Sequence, residues 1–165
     1  MSVGAGGDVG VAWTVLPFEA LPPIALYDAL RLRQRVFVVE QACAYLDCDG
    51  RDPASLHLLG RARDRDRQGP LVAYARLVPA GVAFAEPSIG RVATAPEARG
   101  RGYGRALMVE AIARARQAFG PGPLRIGAQQ YLERFYTELG FRTASEVYDD
   151  DGVPHIQMVL PGDAL

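Results

Sequence analysis

The sequence predicts an α/β protein built on a mixed sheet, in the order β-α-β-β-β-α-β-α-β-β. Three observations carry this reading. Short β-prone runs are bounded by Pro, Gly and Asp clusters, two longer stretches repeat apolar residues at helical spacing, and Asp150-Asp151-Gly152 separates two strand-like runs near the end. The 165 residues, 49% hydrophobic and 22% charged, suit one globular domain over 11–165, preceded by a glycine-rich tail over 1–10 expected to be disordered.

Val11 to Leu16 reads as the first strand, stopped by Pro17 and Pro22-Pro23. From Ile24, with Pro23 as the opening residue, Leu26, Tyr27, Leu30, Arg33 or Gln34, and Phe37 recur at helical spacing, and a break or second short helix is expected in the β-branched Val36-Phe37-Val38-Val39. Glu40 to Pro53 is polar and turn-rich, hence a loop. Ser55–Ala62 and Leu71–Val78 form a hairpin across the charged turn at 64–69, and Ile89–Ala95 is the next strand. The second helix, ended by Gly120-Pro121, presents Met108, Ile112, Ala115 and Phe119 with Leu107 and Ala111 beside them, and pairs Glu110 with Arg114. Strand Leu124–Ala128, helix Gln130–Leu139 capped by Gly140, and a hairpin of Phe141–Asp149 with Val153–Leu160 complete the chain.

A net charge of -1 disfavours a polyanion binder such as a nucleic-acid protein. No apolar run approaches the ~20 residues that span a bilayer, and the start lacks a signal-peptide pattern, so the expectation is a cytoplasmic protein without membrane contact, monomeric or homodimeric. Cys43 and Cys48 have no partner pair at zinc spacing, which argues for free thiols and no metal. Between the Ile89 strand and the second helix, Gly100, Gly102 and Gly104 alternate with Arg99, Arg101 and Arg105. Glycines there bring backbone N–H groups close to a ligand at a helix start, and arginines add bidentate charge, a combination suited to phosphate.

The Arg99-x-x-Gly102-x-Gly104 loop, followed by Gln129-Gln130-Tyr131-Leu132-Glu133-Arg134-Phe135-Tyr136-Thr137-Glu138-Leu139-Gly140-Phe141, closely resembles the GNAT superfamily of acetyl-CoA-dependent N-acyltransferases. Leu32 to Gln41, Cys43-x-Tyr45-x-Asp47, His57-Leu58, Ile89-Gly90-Arg91-Val92 and Asp151 to Ile156 look like its ElaA-like branch. The resemblance implies the acyl-CoA N-acyltransferase fold, acetyl-CoA as co-substrate, and a small-molecule or peptide amine as acceptor. By the same resemblance Val92, Ala93, Thr94, Arg99, Gly100, Arg101, Gly102, Tyr103, Gly104, Arg105, Gln129 and Phe135 contact the cofactor, and Tyr136 is the acid beside the thioester sulfur.

Many relatives carry a glutamate on the strand before the loop, whereas Gly90 to Thr94 offers no carboxylate, so the base comes from elsewhere. The candidates are Glu40, His57 and His155, with the loop acids Asp47 and Asp49 beside them; a neutral imidazole suits proton removal near pH 7. Arg33, Arg76 and Arg91 serve either as anchors for an acceptor carboxylate or as internal partners of the loop acids. Two rival readings stay open: an acyl-CoA sensor that binds a partner without catalysis, and an acyltransferase like the acyl-homoserine lactone synthases.

Overall fold

A computed structural model describes residues 10–64 and 67–163. The strands are β1 (Val11–Pro17), β2 (Leu56–Asp64), β3 (Arg67–Val78), β4 (Ser88–Thr94), β5 (Leu124–Gln129), β6 (Arg142–Thr143), β7 (Tyr148–Asp150) and β8 (Val153–Leu160); the α-helices are α1 (Pro23–Arg33), α2 (Tyr103–Phe119) and α3 (Glu133–Glu138). One sheet runs β1-β2-β3-β4-β5-β8-β6, with β7 also paired to β8; all described pairings are antiparallel except β4 with β5. This is the mixed α/β architecture expected from sequence. The expected strand Phe141–Asp149 is two short strands, β6 and β7, which pair with different parts of β8. The disordered-tail expectation falls on residues outside the described ones except Gly10, whose carbonyl accepts the Arg63 N–H at 2.8 Å.

The central strands are apolar on both faces because helices cover both. On one face Leu58, Ala73, Ala75, Leu77 and Ile126 pack against Leu107, Met108, Ala111 and Ala115 of α2. On the other, Leu59, Val72 and Tyr74 meet Ala25, Ala29, Leu32 and Val36 of the first helical segment. The buried side of α1 begins with Ala25 and Ala29 before Leu32 and Arg33, and Tyr27, expected in the core, is 64% exposed. Small residues bring the helix backbone close to the sheet, a fit that a search for large apolar residues does not detect. Past Arg33 the helix widens into a π-helical turn, Gln34–Glu40, and the Cys43 N–H reaches back to the Val38 carbonyl at 3.1 Å. Such turns recur at functional sites, and this one carries Val36, Phe37 and Glu40 to the edge of a cleft.

β4 is bulged. Tyr74 pairs with Ala93 and Arg76 with Gly90, so three steps of β4 oppose two of β3. The extra residue reverses the side-chain alternation: Ile89 packs on the α2 face and Ala93 on the α1 face, though four positions apart. Arg91 sits at the bulge with φ +50°, in the left-handed region where a non-glycine side chain is strained. Beyond the single β4–β5 register pair, Ser88 with Arg125, no further pairing joins these strands, and a cleft opens between them.

Candidate active site

The cleft has a volume of about 530 Å³ and collects side chains distant in sequence. One wall is β4 (Val92, Ala93, Thr94), the other β5 with α3 (Ala128, Gln129, Phe135, Tyr136), and the ends come from the π-helical turn and the β7–β8 hairpin. The glycine loop follows β4 directly. Gly100 and Gly102 both take φ +78°, and Gly102 is the N-cap of α2, so the loop conformation is one that glycine adopts without strain. No Cβ-sized space is filled around either glycine, which leaves the approach to the first turn of α2 open to an anion. The residues thus fit a diphosphate at the helix start and an extended chain along β4.

The sequence candidates divide by position. Val92, Ala93, Thr94, Arg99, Gly104, Gln129, Phe135, Tyr136, Glu40 and His155 line the cleft together. Gly100, Arg101, Gly102, Tyr103 and Arg105 belong to the loop and the start of α2; Tyr103 is buried against the α1 side, and Arg105 lies 3.9 Å from Glu138 at the surface. His57 does not join them. It is fully buried, its Nε2–H donates to the Asp52 carbonyl at 3.0 Å, and its Nδ1 accepts the Tyr74 hydroxyl at 2.7 Å, so no ring nitrogen is available to a ligand.

Tyr136 is 6% exposed, wedged edge-on between Phe135 and Phe141. Burial, reinforced by nearby Tyr131, pushes its phenol up to about 12, so it stays protonated through the physiological range. Among the described residues its hydroxyl has no hydrogen-bond partner. His155 stands opposite Gln129 in the β5–β8 register. Its Nδ1 lies 2.8 Å from the Val153 carbonyl, which can only accept, so in the neutral ring Nδ1 carries the proton and Nε2 the lone pair. Asp150 is 4.0 Å from that Nε2. Glu40 accepts from Arg99 at 2.6 Å, and the Gln129 amide donates to Gln41 at 3.1 Å, tying β5 to the π-helical turn.

The three arginines take the internal role. Arg33 binds Asp47 and Asp52, Arg76 binds Asp49 and Asp52, and Arg91 binds Asp47 and Asp49, all at 2.8–3.3 Å. Arg51 adds a longer contact to Asp49 at 3.4 Å, and the pairs together pin the 41–54 loop onto the sheet. Burial alone would raise the carboxyls of Asp49 and Asp52, but the arginine hydrogen bonds win and hold both below the usual carboxylate range. His57, beneath this network, is depressed by burial. A depressed histidine means that the unfolded chain binds a proton the folded chain refuses, so stability falls as pH drops below about 6.5, well above the range where the aspartates titrate. The thermal midpoint should therefore decline between pH 7.5 and 5.5, and His57→Gln should flatten that decline; equal slopes would remove His57 as its source.

Sequence reasoning missed Gln41, Cys43, Tyr45, Tyr131, Asp150 and Asp151 as cleft residues. The Asp-Gly turn was visible as a turn, but only the pairing of β7 and β8 carries it to the cleft. Among the described residues no group of His, Cys, Asp and Glu could hold a metal ion, and no helix is long and apolar enough to cross a membrane.

A profile of the acetyltransferase (GNAT) domain matches residues 63–161. A UPF0039 protein of Synechocystis sp. is 42% identical over 150 residues, 91% of this chain and 95% of the relative. The crystal structure of Escherichia coli ElaA superposes with a TM-score of 0.80 at 38% identity, covering 90% of this chain and 98% of that one. An acyl-CoA N-acyltransferase from Pseudomonas aeruginosa gives a TM-score of 0.82, also at 38% identity and over the same shares.

Proposed function

The chain belongs to the GNAT acetyltransferase family, with ElaA proteins among its relatives, and on that premise we propose that it transfers acetyl from acetyl-CoA to a primary amine by direct attack in a ternary complex. The observation that carries the reading is the cleft itself: Arg99 and Gly104 from the two ends of the glycine loop, the β4 strand and the buried Tyr136 line one space. Acetyl-CoA supplies the activated thioester. Backbone N–H groups of the 100–104 loop, with Arg99, Arg101 and Arg105, hold its diphosphate, and Val92 to Thr94 run beside its pantetheine arm. A β4 N–H polarises the carbonyl, Tyr136 donates a hydrogen bond to the departing sulfur, and Gln129 and Phe135 complete the wall.

Of the expected bases, His155 is the one the geometry favours, because its Nε2 lone pair is uncommitted and Asp150 stands near enough to stabilise the imidazolium. Glu40 is paired with Arg99 in the free protein, and Asp47 and Asp49 are committed to the arginine network. A base matters most for a lysine-like amine, which at pH 7 is neutral only about once in 10³ molecules. His155→Gln should lower kcat/KM about 10²-fold with acetyl-CoA affinity unchanged; an unchanged kcat/KM would return the role to Glu40 or to water. The reading as a whole is tested by calorimetric titration with acetyl-CoA and by thiol release across a panel of amines. It fails if neither binding nor thiol release is seen, and binding without release favours the sensor reading.

A further inference from the structure

The acceptor side of the cleft has a net negative charge that the internal pairings do not cancel, and from it we infer that the acceptor is a small primary amine carrying a second positive charge. This rests on the acyl-transfer reading above and deepens it. The charged residues lining the cleft are Glu40, Arg91, Arg99, Asp150 and Asp151, with His155 beside them. Arg91 is committed to Asp47 and Asp49, so its guanidinium is not free to anchor an acceptor carboxylate. Arg99 is paired with Glu40, and the same guanidinium belongs to the loop that takes the diphosphate. When the donor's phosphates engage Arg99, Glu40 loses its counter-ion and adds to the negative charge of Asp150 and Asp151.

The backbone that carries the two aspartates is a defined turn. Asp151 (φ +50°) and Gly152 (φ +82°) form the two-residue turn joining β7 to β8, both in the left-handed region that such a hairpin needs. The Asp151 carbonyl accepts from the Cys43 thiol at 3.3 Å, and the Gly152 N–H donates to Asp149 at 3.0 Å. The same cleft is lined by Tyr136, whose hydroxyl has no hydrogen-bond partner among the described residues, and by His155 with its uncommitted Nε2, and the reacting amine is placed between them. A first amine at His155 therefore has exposed carboxylates lining the same cleft for a second cation, whereas the carboxylate of an amino-acid acceptor meets repulsion.

The test uses protein saturated with coenzyme A, titrated calorimetrically with 1,4-diaminobutane, butylamine and 4-aminobutanoate, followed by thiol release with acetyl-CoA and the same amines. The diamine should bind at least tenfold more tightly than butylamine, 4-aminobutanoate should be weakest, and added salt should shrink the gap because the aspartates are exposed. Asp151→Asn, which suits the left-handed turn, and Asp150→Asn should each reduce the diamine-to-monoamine ratio several-fold. Equal binding of diamine and amino acid, binding by none of the three, or an unchanged ratio in both variants would overturn the inference. Thiol release from all three amines without a diamine preference overturns the inference alone, and selective diamine binding without thiol release overturns acyl transfer alone.

Discussion

Arg33→Met is expected to destabilise the fold by about 3 kcal/mol. The guanidinium is 1% exposed and donates to Asp47 Oδ2 and Asp52 Oδ1 at 2.8 Å each and to the Asp47 carbonyl at 3.0 Å. Burial opposes its charge, but the hydrogen bond to Asp52 and the field of Tyr74, Asp47 and Asp52 outweigh it, so Arg33 stays ionised. Methionine fills much the same volume and leaves two buried carboxylates one counter-charge short, a loss of about 3–5 kcal/mol for a broken buried pair. The lower end applies because Asp47 keeps Arg91 and Asp52 keeps Arg76. Urea unfolding checks it, and for a domain of this size the thermal midpoint should fall by about 6–12 °C. Adding Asp52→Asn removes the surplus charge, so the double variant should be less destabilised than the two singles added together. A loss below about 1 kcal/mol would mean that the network is as dispensable as an exposed ion pair.

That network also marks the boundary of what the sequence discloses. Local signals were strong wherever backbone chemistry dictates them. Gly120 and Gly140 cap their helices at φ +96°, Arg114 pairs with Glu110 at 2.7 Å, and Asp151-Gly152 makes the hairpin turn. The glycine loop and the Phe135-Tyr136 block pointed to one site because each is a short contiguous motif. The β4 bulge was not legible: Ile89-Gly90-Arg91-Val92-Ala93-Thr94 reads as a plain strand, and the positive φ of Arg91 is held by bonds to Asp47 and Asp49, more than forty positions away. The choice between acceptor anchor and internal partner for Arg33, Arg76 and Arg91 was open for the same reason. Pairing of charges across a fold is a tertiary fact, and so is the burial that removes His57 from the site and leaves His155 in it.

Tyr136→Phe is expected to lower kcat about 10²-fold while acetyl-CoA affinity and stability hold. The ring would keep its edge-on contacts with Phe135 and Phe141, at centroid distances of 5.1 and 5.8 Å. Among the described residues the hydroxyl has no partner to orphan, so its removal costs the fold little. The chemistry sets the size of the loss. With the phenol at about 12 and a thiol near 8.5, complete proton transfer to the thiolate is uphill by about 5 kcal/mol. Tyr136 therefore acts as a hydrogen-bond donor whose bond strengthens as charge develops on sulfur, and the effect belongs at the low end of the range of about 10²–10⁴ for positioned acids. A donor of this kind does not titrate between pH 6 and 9, so the loss should be the same throughout that interval. A kcat unchanged within threefold would remove Tyr136 from the chemistry, and a loss that grows steadily with pH would mean that a titrating acid protonates the sulfur in its place.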